Sequence, residues 1–166
     1  MISMEMLQDA RRVLSPVINQ TPVLHAPGLV PDCSFYLKAD CLQKTGAFKL
    51  RGAYYKIATL SDQEKRRGVI ACSAGNHAQG IALSASRLGI KAVICMPAGA
   101  PISKVEATKQ LGAEVRLVKG AYDDAYATAL QLQEETGATF IHPFDDDEVI
   151  ACLLYTSPSP RDPKTS

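Results

Sequence analysis

The strongest constraint on the fold is a regular alternation of strand-like and helical segments along the second part of the chain. Four short apolar runs begin near Val69, Ala92, Glu114 and Ala138. Their spacings of 23, 22 and 24 residues are nearly constant. Helical periodicity fills the intervals, over residues 76–88, 103–111 and 122–135. This βαβαβαβ order predicts an α/β fold with a four-stranded parallel sheet, because parallel neighbours need a crossover that can hold a helix.

Local signals at the ends of these segments agree with that architecture. Gly89, Gly112 and Gly137 each follow one of the predicted helices, where a left-handed residue commonly ends a helix. Ahead of the first strand, Ser61–Glu64 (SDQE) has the pattern of a capping box. It predicts a short basic helix that ends at Gly68.

A separate segment, Thr45–Gly52 (TGAFKLRG), lies at the start of a further predicted helix. Apolar residues downstream recur at helical spacing, so this helix is expected to begin near Phe48, with Thr45 or Gly46 as its cap. Lys49 would then lie in the first turn, where the helix dipole disfavours a cation. With desolvation, this setting favours the neutral amine, which attacks carbonyl groups. The alternative is an ordinary surface lysine on an amphipathic helix.

The segment Cys72–Gly80 (CSAGNHAQG) has the features of a ligand-binding turn. It follows the apolar run Val69–Ala71 and opens the next predicted helix. Small residues at the turn let a ligand approach the backbone, and a helix N-terminus offers N–H donors to an anion. An anionic group is therefore expected to bind there.

Two motifs of the chain together resemble those of a known enzyme family. Leu42–Ala53 (LQKTGAFKLRGA) and Ser73–Gly80 (SAGNHAQG) are similar to the motifs of the pyridoxal-phosphate enzymes of fold type II, the tryptophan-synthase-β superfamily. Within it they most resemble the threonine dehydratase (threonine ammonia-lyase) family. The resemblance runs from about Thr21 to Ala151. It implies conversion of L-threonine to 2-oxobutanoate and ammonia, with L-serine (giving pyruvate) as a second substrate.

The resemblance also implies roles for residues of both motifs. Lys49 would bind pyridoxal phosphate covalently and then move the proton at the substrate α-carbon. Phe48 would pack beside the cofactor ring, although an ordinary core position fits it equally well. Asn76 would hydrogen-bond the ring hydroxyl, which is compatible with a capping role. The substrate carboxylate would be held by backbone groups of Ser73, Ala74, Gly75, Asn76 and His77.

Other functions remain open at this point. Serine racemase, threonine synthase and cysteine synthase belong to the same superfamily, and a non-catalytic α/β ligand-binding module is a different class of protein. Ala74 distinguishes this chain from the serine racemases, since related serine racemases generally carry a serine at this position as a second base. With alanine, Lys49 is the one evident base, which favours β-elimination over racemisation.

The resemblance divides the chain into three parts. Residues 49–151 would form the small α/β domain, and residues 1–48 would be the N-terminal piece of an incomplete larger α/β domain. After Ala151 the family continues with Gly-Gln-Gly-Thr and, later, with the glycine-rich loop that holds the cofactor phosphate. Residues 152–166 instead resemble a translated sequencing adapter and are expected to be a non-native tail that forms no packed element. A chain without the phosphate loop is expected to be inactive or nearly so.

Composition limits the partners and the compartment. The chain has 18 basic and 17 acidic residues and no basic stripe with interleaved aromatic residues, so nucleic acid is not expected. No apolar run is long enough to span a membrane. Five cysteines without a C-x-x-C pair argue against a disulfide framework or a zinc site and favour the cytoplasm. By resemblance, the parent enzyme would be a homo-oligomer that binds a small amino acid.

Three further sequence features do not indicate a function. The lysine of a P-loop is missing after Gly75–Gly80, and no dinucleotide-binding fingerprint is present. Residues 145–148 (DDDE) are interpreted as a helix start or a solvated face rather than a metal site, because such charge runs usually are.

Overall fold

A computed structural model describes residues 2–154, which form seven α-helices and six β-strands. The helices are α1 (Met4–Leu14), α2 (Lys49–Thr59), α3 (Asp62–Arg67), α4 (Asn76–Leu88), α5 (Ile102–Gln110), α6 (Tyr122–Thr136) and α7 (Asp147–Leu154). The strands are β1 (Val23–His25), β2 (Tyr36–Lys38), β3 (Val69–Cys72), β4 (Ala92–Pro97), β5 (Glu114–Val118) and β6 (Thr139–Phe140). The predicted non-native tail from residue 155 onward lies outside the described residues.

The central sheet has four parallel strands in the order β5-β4-β3-β6. Val69 is opposite Ala92 on one side and Thr139 on the other. The predicted α/β fold with a four-stranded parallel sheet is therefore confirmed. The predicted helical segments agree with α4, α5 and α6 to within one residue at each end. The capping box at Ser61 and Glu64 is present as well.

Helices cover both faces of this sheet. All four residues of β3 are buried, as expected for a strand between two helical layers. Val69 and Ala71 face the cluster that includes Ile81 of α4, whereas Ile70 and Cys72 face the cluster that includes Ala129 of α6. This alternation follows from the two-residue period of a strand. The α2 helix packs against α4 on the first of these faces.

The strand order reverses direction at β3. From β3 the chain continues to β4 and β5 on one side, and β6 then returns to the other side of β3. In open α/β sheets such a reversal leaves a crevice at the carboxyl ends of the two strands between which it occurs, here β3 and β6, and ligands bind there. The loops that follow β3 (residues 73–75) and β6 (residues 141–146) are therefore the expected walls of a binding site.

A smaller cluster joins α1, α2 and α7. Leu14 and Cys152 are fully buried in it, beside Tyr55. Gly52 lets α7 approach α2, because a β-carbon there would lie 2.9 Å from Val149 Cγ1. Residues 152–166 were expected to form no packed element, and this expectation is wrong for residues 152–154. They continue α7 as its last residues, since the apolar pattern of the helix extends through Leu154.

The remaining N-terminal residues form a two-stranded antiparallel sheet, β1-β2, which is mostly exposed. One set of side-chain contacts joins the two ends of this region, and another attaches the region to α2. Buried Gln43 accepts a hydrogen bond from the Asn19 amide at 2.8 Å and donates one to the Asn19 carbonyl at 3.0 Å. Buried Arg51 of α2 pairs with Asp40 at 2.5 Å. Within residues 2–154, no helix is long and apolar enough to cross a membrane.

Candidate active site

Lys49 is the first residue of α2, and its amine is drawn inward. Its Nζ donates a hydrogen bond to the Pro143 carbonyl oxygen at 2.6 Å and lies 5.2 Å from the centre of the Phe48 ring. Burial lowers the pKa of the Lys49 amine from its ordinary value. The position at the positive end of a helix acts in the same direction. Both effects favour the neutral, nucleophilic form of the amine more than in an exposed lysine.

The predicted cap of this helix is wrong. Phe48, not Thr45 or Gly46, occupies the cap position, and no side chain bonds the first turn. The reason is a turn just before the helix, in which the Gly46 amide bonds the Gln43 carbonyl at 2.7 Å. Gly46 has a φ of 69°, which suits glycine. Thr45 is turned inward, and its buried hydroxyl has no hydrogen-bond partner among the described residues.

A cavity of about 430 Å³ lies beside the Lys49 side chain. Four elements supply its walls: the start of α2, the start of α4, the loop after β6 and the inner side of α7. His77 is the one residue of the second motif that reaches it. The lining residues are Phe48, Lys49, Gly52, Ala53, His77, Pro143, Phe144, Val149, Ile150 and Leu153. Apart from Lys49 and His77, these walls are apolar, so a charge on Lys49 is poorly solvated there.

His77 is buried in the first turn of α4. Its Nε2 lies 3.0 Å from the Ile141 carbonyl oxygen, which can only accept, so Nε2 carries the hydrogen. Burial lowers the pKa of His77 to about 4, and the positive charges of Lys49 and His142 act in the same direction. The imidazole is therefore neutral at neutral pH.

The rest of the second motif follows β3 at the same end of the sheet. The Ser73 hydroxyl accepts a hydrogen bond from the Gly75 amide at 3.3 Å. The N-cap residue of α4 is Gly75. Since glycine has no side chain, no cap side chain accepts a hydrogen bond from the first-turn amides of α4. Asn76 is exposed, and its Oδ1 accepts a hydrogen bond from Lys104 Nζ at 3.2 Å. Thus Phe48, Lys49 and His77 meet at the cavity, whereas Ser73, Ala74, Gly75 and Asn76 do not line it.

Sequence reasoning missed the part of the site that follows β6. Pro143 supplies the acceptor for Lys49, Phe144 forms part of the wall, and three residues of α7 close one side. The signal that could have found them is the reversal of strand order, which brings the ends of β3 and β6 together. Lys104 was also missed, because nothing in the sequence places it beside Asn76.

The acidic run before α7 starts that helix. The Asp146 carboxylate accepts hydrogen bonds from the amides of Glu148 and Val149 at 3.0 and 3.2 Å, and it pairs with Lys56 of α2 at 2.8 Å. Lys56 also lies 3.2 Å from the Glu148 carboxylate. These contacts fix α7 over α2 and so hold one wall of the cavity.

Comparison with known sequences gives a consistent result. A model of the family described as pyridoxal-phosphate dependent enzyme matches residues 14–157. The chain is 52% identical over 153 residues to the L-threonine ammonia-lyase of Thermotoga maritima, across 91% of this chain and 38% of that protein. It thus spans less than half the length of this relative.

Solved structures agree in fold. Threonine deaminase isoform 2 from Solanum lycopersicum superposes with a TM-score of 0.82 at 40% identity, covering 89% of this chain and 41% of that chain. Maize serine racemase superposes with a TM-score of 0.88 at 34% identity, covering 94% and 48%. The family match extends over most of the described residues and includes the lysine at the cavity. The chain therefore belongs to the pyridoxal-phosphate dependent enzyme family.

Proposed function

We propose that this chain is part of a pyridoxal-phosphate-dependent threonine dehydratase, which converts L-threonine to 2-oxobutanoate and ammonia and accepts L-serine as a second substrate. The observation that carries the proposal is the amine of Lys49, which is half-buried, has a lowered pKa and faces an apolar cavity. The 52% identity to an L-threonine ammonia-lyase supports the substrate.

The residues at the cavity fit one part of the cofactor. An amine with a lowered pKa beside an aromatic ring suits an aldehyde on a flat heterocycle, so Lys49 and Phe48 would hold that end. Apart from Lys49 itself, none of the described residues that line the cavity offers a cation or a glycine-rich loop for the phosphate. When bound, pyridoxal phosphate withdraws electrons from the α-carbon of an amino acid and so acidifies it.

Lys49 is the residue of this chain that would move the α-proton. His77 is not suited to the task, since its Nε2 hydrogen is engaged with Ile141 and its imidazole resists protonation. Ala74 has no group that could accept a proton from the opposite side. One base on one side favours proton removal followed by loss of the β-hydroxyl, and it disfavours racemisation.

The start of α4 would bind the substrate carboxylate. Its first-turn amides have no capping side chain, and a helix N-terminus favours an anion. Asn76 would contact the cofactor ring oxygen through its Nδ2, because Lys104 already engages its Oδ1. In this proposal Ser73, Ala74 and Gly75 contribute backbone groups.

Partners and compartment belong to the same proposal. We infer a homo-oligomeric parent enzyme in the cytoplasm, with a small amino acid as its ligand and without nucleic acid or membrane partners. The near balance of 18 basic and 17 acidic residues supports the part of this inference that concerns nucleic acid.

Trapping of the cofactor tests the proposal directly. The purified chain would be mixed with pyridoxal phosphate, reduced with borohydride and digested, and the modified peptide would be located by mass spectrometry. We expect the label on Lys49 and its loss in Lys49→Ala. The matched control is Lys91→Ala, which removes an exposed lysine away from the cavity. Equal labelling of Lys49→Ala and the unchanged chain would contradict the assignment.

A turnover assay tests the expected inactivity of the 166-residue chain. Apart from Lys49, the described residues that line the cavity offer no partner for a phosphate, so we expect no formation of 2-oxobutanoate from threonine with added cofactor. Measurable turnover would show that this chain anchors the cofactor without a phosphate loop.

A further inference from the structure

The loop after β6 is held by two residues of the candidate active site. The Ile141 carbonyl oxygen receives the Nε2 hydrogen of His77 at 3.0 Å. Two residues later, the Pro143 carbonyl oxygen receives a hydrogen bond from Lys49 Nζ at 2.6 Å. His77 comes from α4 and Lys49 from α2, so this short stretch of backbone connects the two side chains.

The contact of His77 is suited to holding backbone rather than to transferring protons. The side chain is 4% exposed and Ile141 is fully buried, so the bond is shielded from water. A shielded hydrogen bond to a carbonyl is costly to leave unmade. The pKa of about 4 keeps the imidazole neutral, which means that it donates this one hydrogen over the whole neutral range.

The contact of Pro143 limits how the Lys49 amine can turn. A neutral amine has two hydrogens and one lone pair, and the lone pair is the group that attacks a carbonyl carbon. When one hydrogen is held by Pro143, rotation about the last bond of the side chain is restricted. The Pro143 oxygen only accepts, so the lone pair must point away from it.

We propose that His77 is a positioning residue for Lys49: by holding Ile141, it keeps the Pro143 carbonyl where that carbonyl orients the amine. The catalytic consequence rests on the proposed function, but the geometry is a property of this chain alone. Neither motif in the sequence assigns this role to the His77 side chain.

The remainder of the loop has its own attachments. His142 Nδ1 accepts a hydrogen bond from the Asp145 amide at 2.8 Å, and Asp146 caps α7 and pairs with Lys56. Loss of the His77 contact should therefore release the backbone around Pro143 without unfolding α7. A substitution at His77 can then be read as a local change.

Selective isotope labelling can report on the Pro143 carbonyl alone. With ¹³C at proline carbonyls and ¹⁵N at phenylalanine and alanine, a triple-resonance spectrum shows only Pro143–Phe144 and Pro97–Ala98, since each dipeptide occurs once. The second signal is an internal reference in the sheet, where the Ala98 amide bonds the Val118 carbonyl at 2.7 Å. The variant Lys49→Met lacks the donor of this hydrogen bond, so its spectrum gives the chemical shift of the Pro143 carbonyl when the bond is absent.

The matched variants are His77→Gln and His77→Met. They have similar length, but only glutamine can donate a hydrogen bond to Ile141. We expect His77→Met to move the Pro143 resonance to its Lys49→Met position with Pro97 unchanged, and His77→Gln to keep the original position. An unchanged Pro143 resonance in His77→Met would overturn the proposal. If Pro97 also moves, the comparison is made with His77→Asn, whose shorter amide cannot reach Ile141.

Trapping of pyridoxal at Lys49 with cyanoborohydride separates this proposal from the proposed function. We expect the rate to fall in His77→Met, by up to about 100-fold if the amine is misplaced by an ångström, and to be retained in His77→Gln. Equal trapping rates in the unchanged chain, His77→Met and His77→Gln would overturn the positioning role. Absence of trapping in the unchanged chain would count against the proposed function. The Pro143 carbonyl resonances would still test the positioning role of His77, because they do not depend on the cofactor.

Discussion

Gly80 of α4 lies directly against the backbone of Lys49. A β-carbon at position 80 would come within 3.1 Å of the Lys49 carbonyl oxygen and 3.2 Å of the Leu50 nitrogen. The two helices that carry the site can approach this closely only because residue 80 has no side chain. Position 80 thus sets the distance between the start of α2 and the start of α4.

Gly80→Ala should destabilise the protein and displace Lys49. Overpacking of a tight contact typically costs about 1–3 kcal/mol, and the neighbour here is backbone, which yields little. Urea unfolding followed by far-UV circular dichroism measures the loss. Gly99→Ala is the control, because a β-carbon there meets nothing within 4 Å. Equal stability of the two variants would show that α2 and α4 can separate freely.

Asp40→Asn should loosen the N-terminal region. Asp40 Oδ1 lies 2.5 Å from the Arg51 guanidinium and accepts a hydrogen bond from Thr21 at 2.8 Å. Arg51 is 2% exposed, and removing the charge that faces a buried cation costs about 3 kcal/mol. Urea unfolding should show this loss. Glu106→Gln, in a pair exposed on both sides, should change stability by less than about 1 kcal/mol.

His77 should make the protein less stable in weak acid. Its pKa is about 4 in the folded chain and 6.5 without perturbation, so the unfolded state binds more protons between these values. Stability therefore falls as the pH drops from 6.5 towards 4, by roughly 3 kcal/mol if the full shift is realised.

The measurement is the free energy of unfolding of the unchanged chain and of His77→Gln at several pH values. Carboxylates titrate in both proteins, so their contribution cancels in the difference. The free energy of unfolding of the unchanged chain should fall more steeply with decreasing pH than that of His77→Gln, because only the unchanged chain contains His77. A constant difference from pH 7 to pH 4 would mean that His77 titrates normally.

Asp146→Asn should weaken the attachment of α7. Burial alone would raise the pKa of Asp146, but its hydrogen bonds to Glu148 and Lys56 lower it. Its contribution is therefore present above the unfolded pKa of 3.8 and is lost as the pH falls through the lower, folded value. At pH 7 we expect a loss of about 1–2 kcal/mol from the cap and the ion pair.

Hydrogen exchange of the α7 amides measures this loss locally. Protection of the helix should decrease in Asp146→Asn while that of β3 and β4 is retained. Asp145→Asn is the matched control, because its exposed carboxylate makes no hydrogen bond or ion pair among the described contacts. The same decrease in the control would indicate that only the overall negative charge matters.

Much of the fold could be predicted because its signals are local. The spacing of apolar runs and the glycines at helix ends located β3 to β6 and α4 to α6, and Gly89 and Gly137 have the expected left-handed φ of 67° and 68°. The exposed strand β1 was not predicted. It has three residues and no buried face, so no alternation of apolar and polar residues marks it.

In the candidate site, the residues that could be predicted are those whose side chains would carry the chemistry. Lys49 was predicted from its place in a first helical turn together with the resemblance of its motif, and His77 from its place in the second motif. Pro143 acts through its backbone carbonyl, which every residue has, so no sequence pattern reveals it. Cys152–Leu154 were assigned to a tail from their composition, although they are the last residues of α7 and Cys152 is fully buried.

The β1-β2 hairpin has a practical consequence for work with this chain. Among the described residues its strands pair only with each other, and Leu24, Tyr36 and Leu37 are 50%, 58% and 44% exposed. Open strand edges with apolar side chains recruit further strands from neighbouring molecules. Solubility, rather than unfolding, should then set the upper limit of usable concentration. Light scattering should rise on concentrating samples whose circular dichroism is still unchanged.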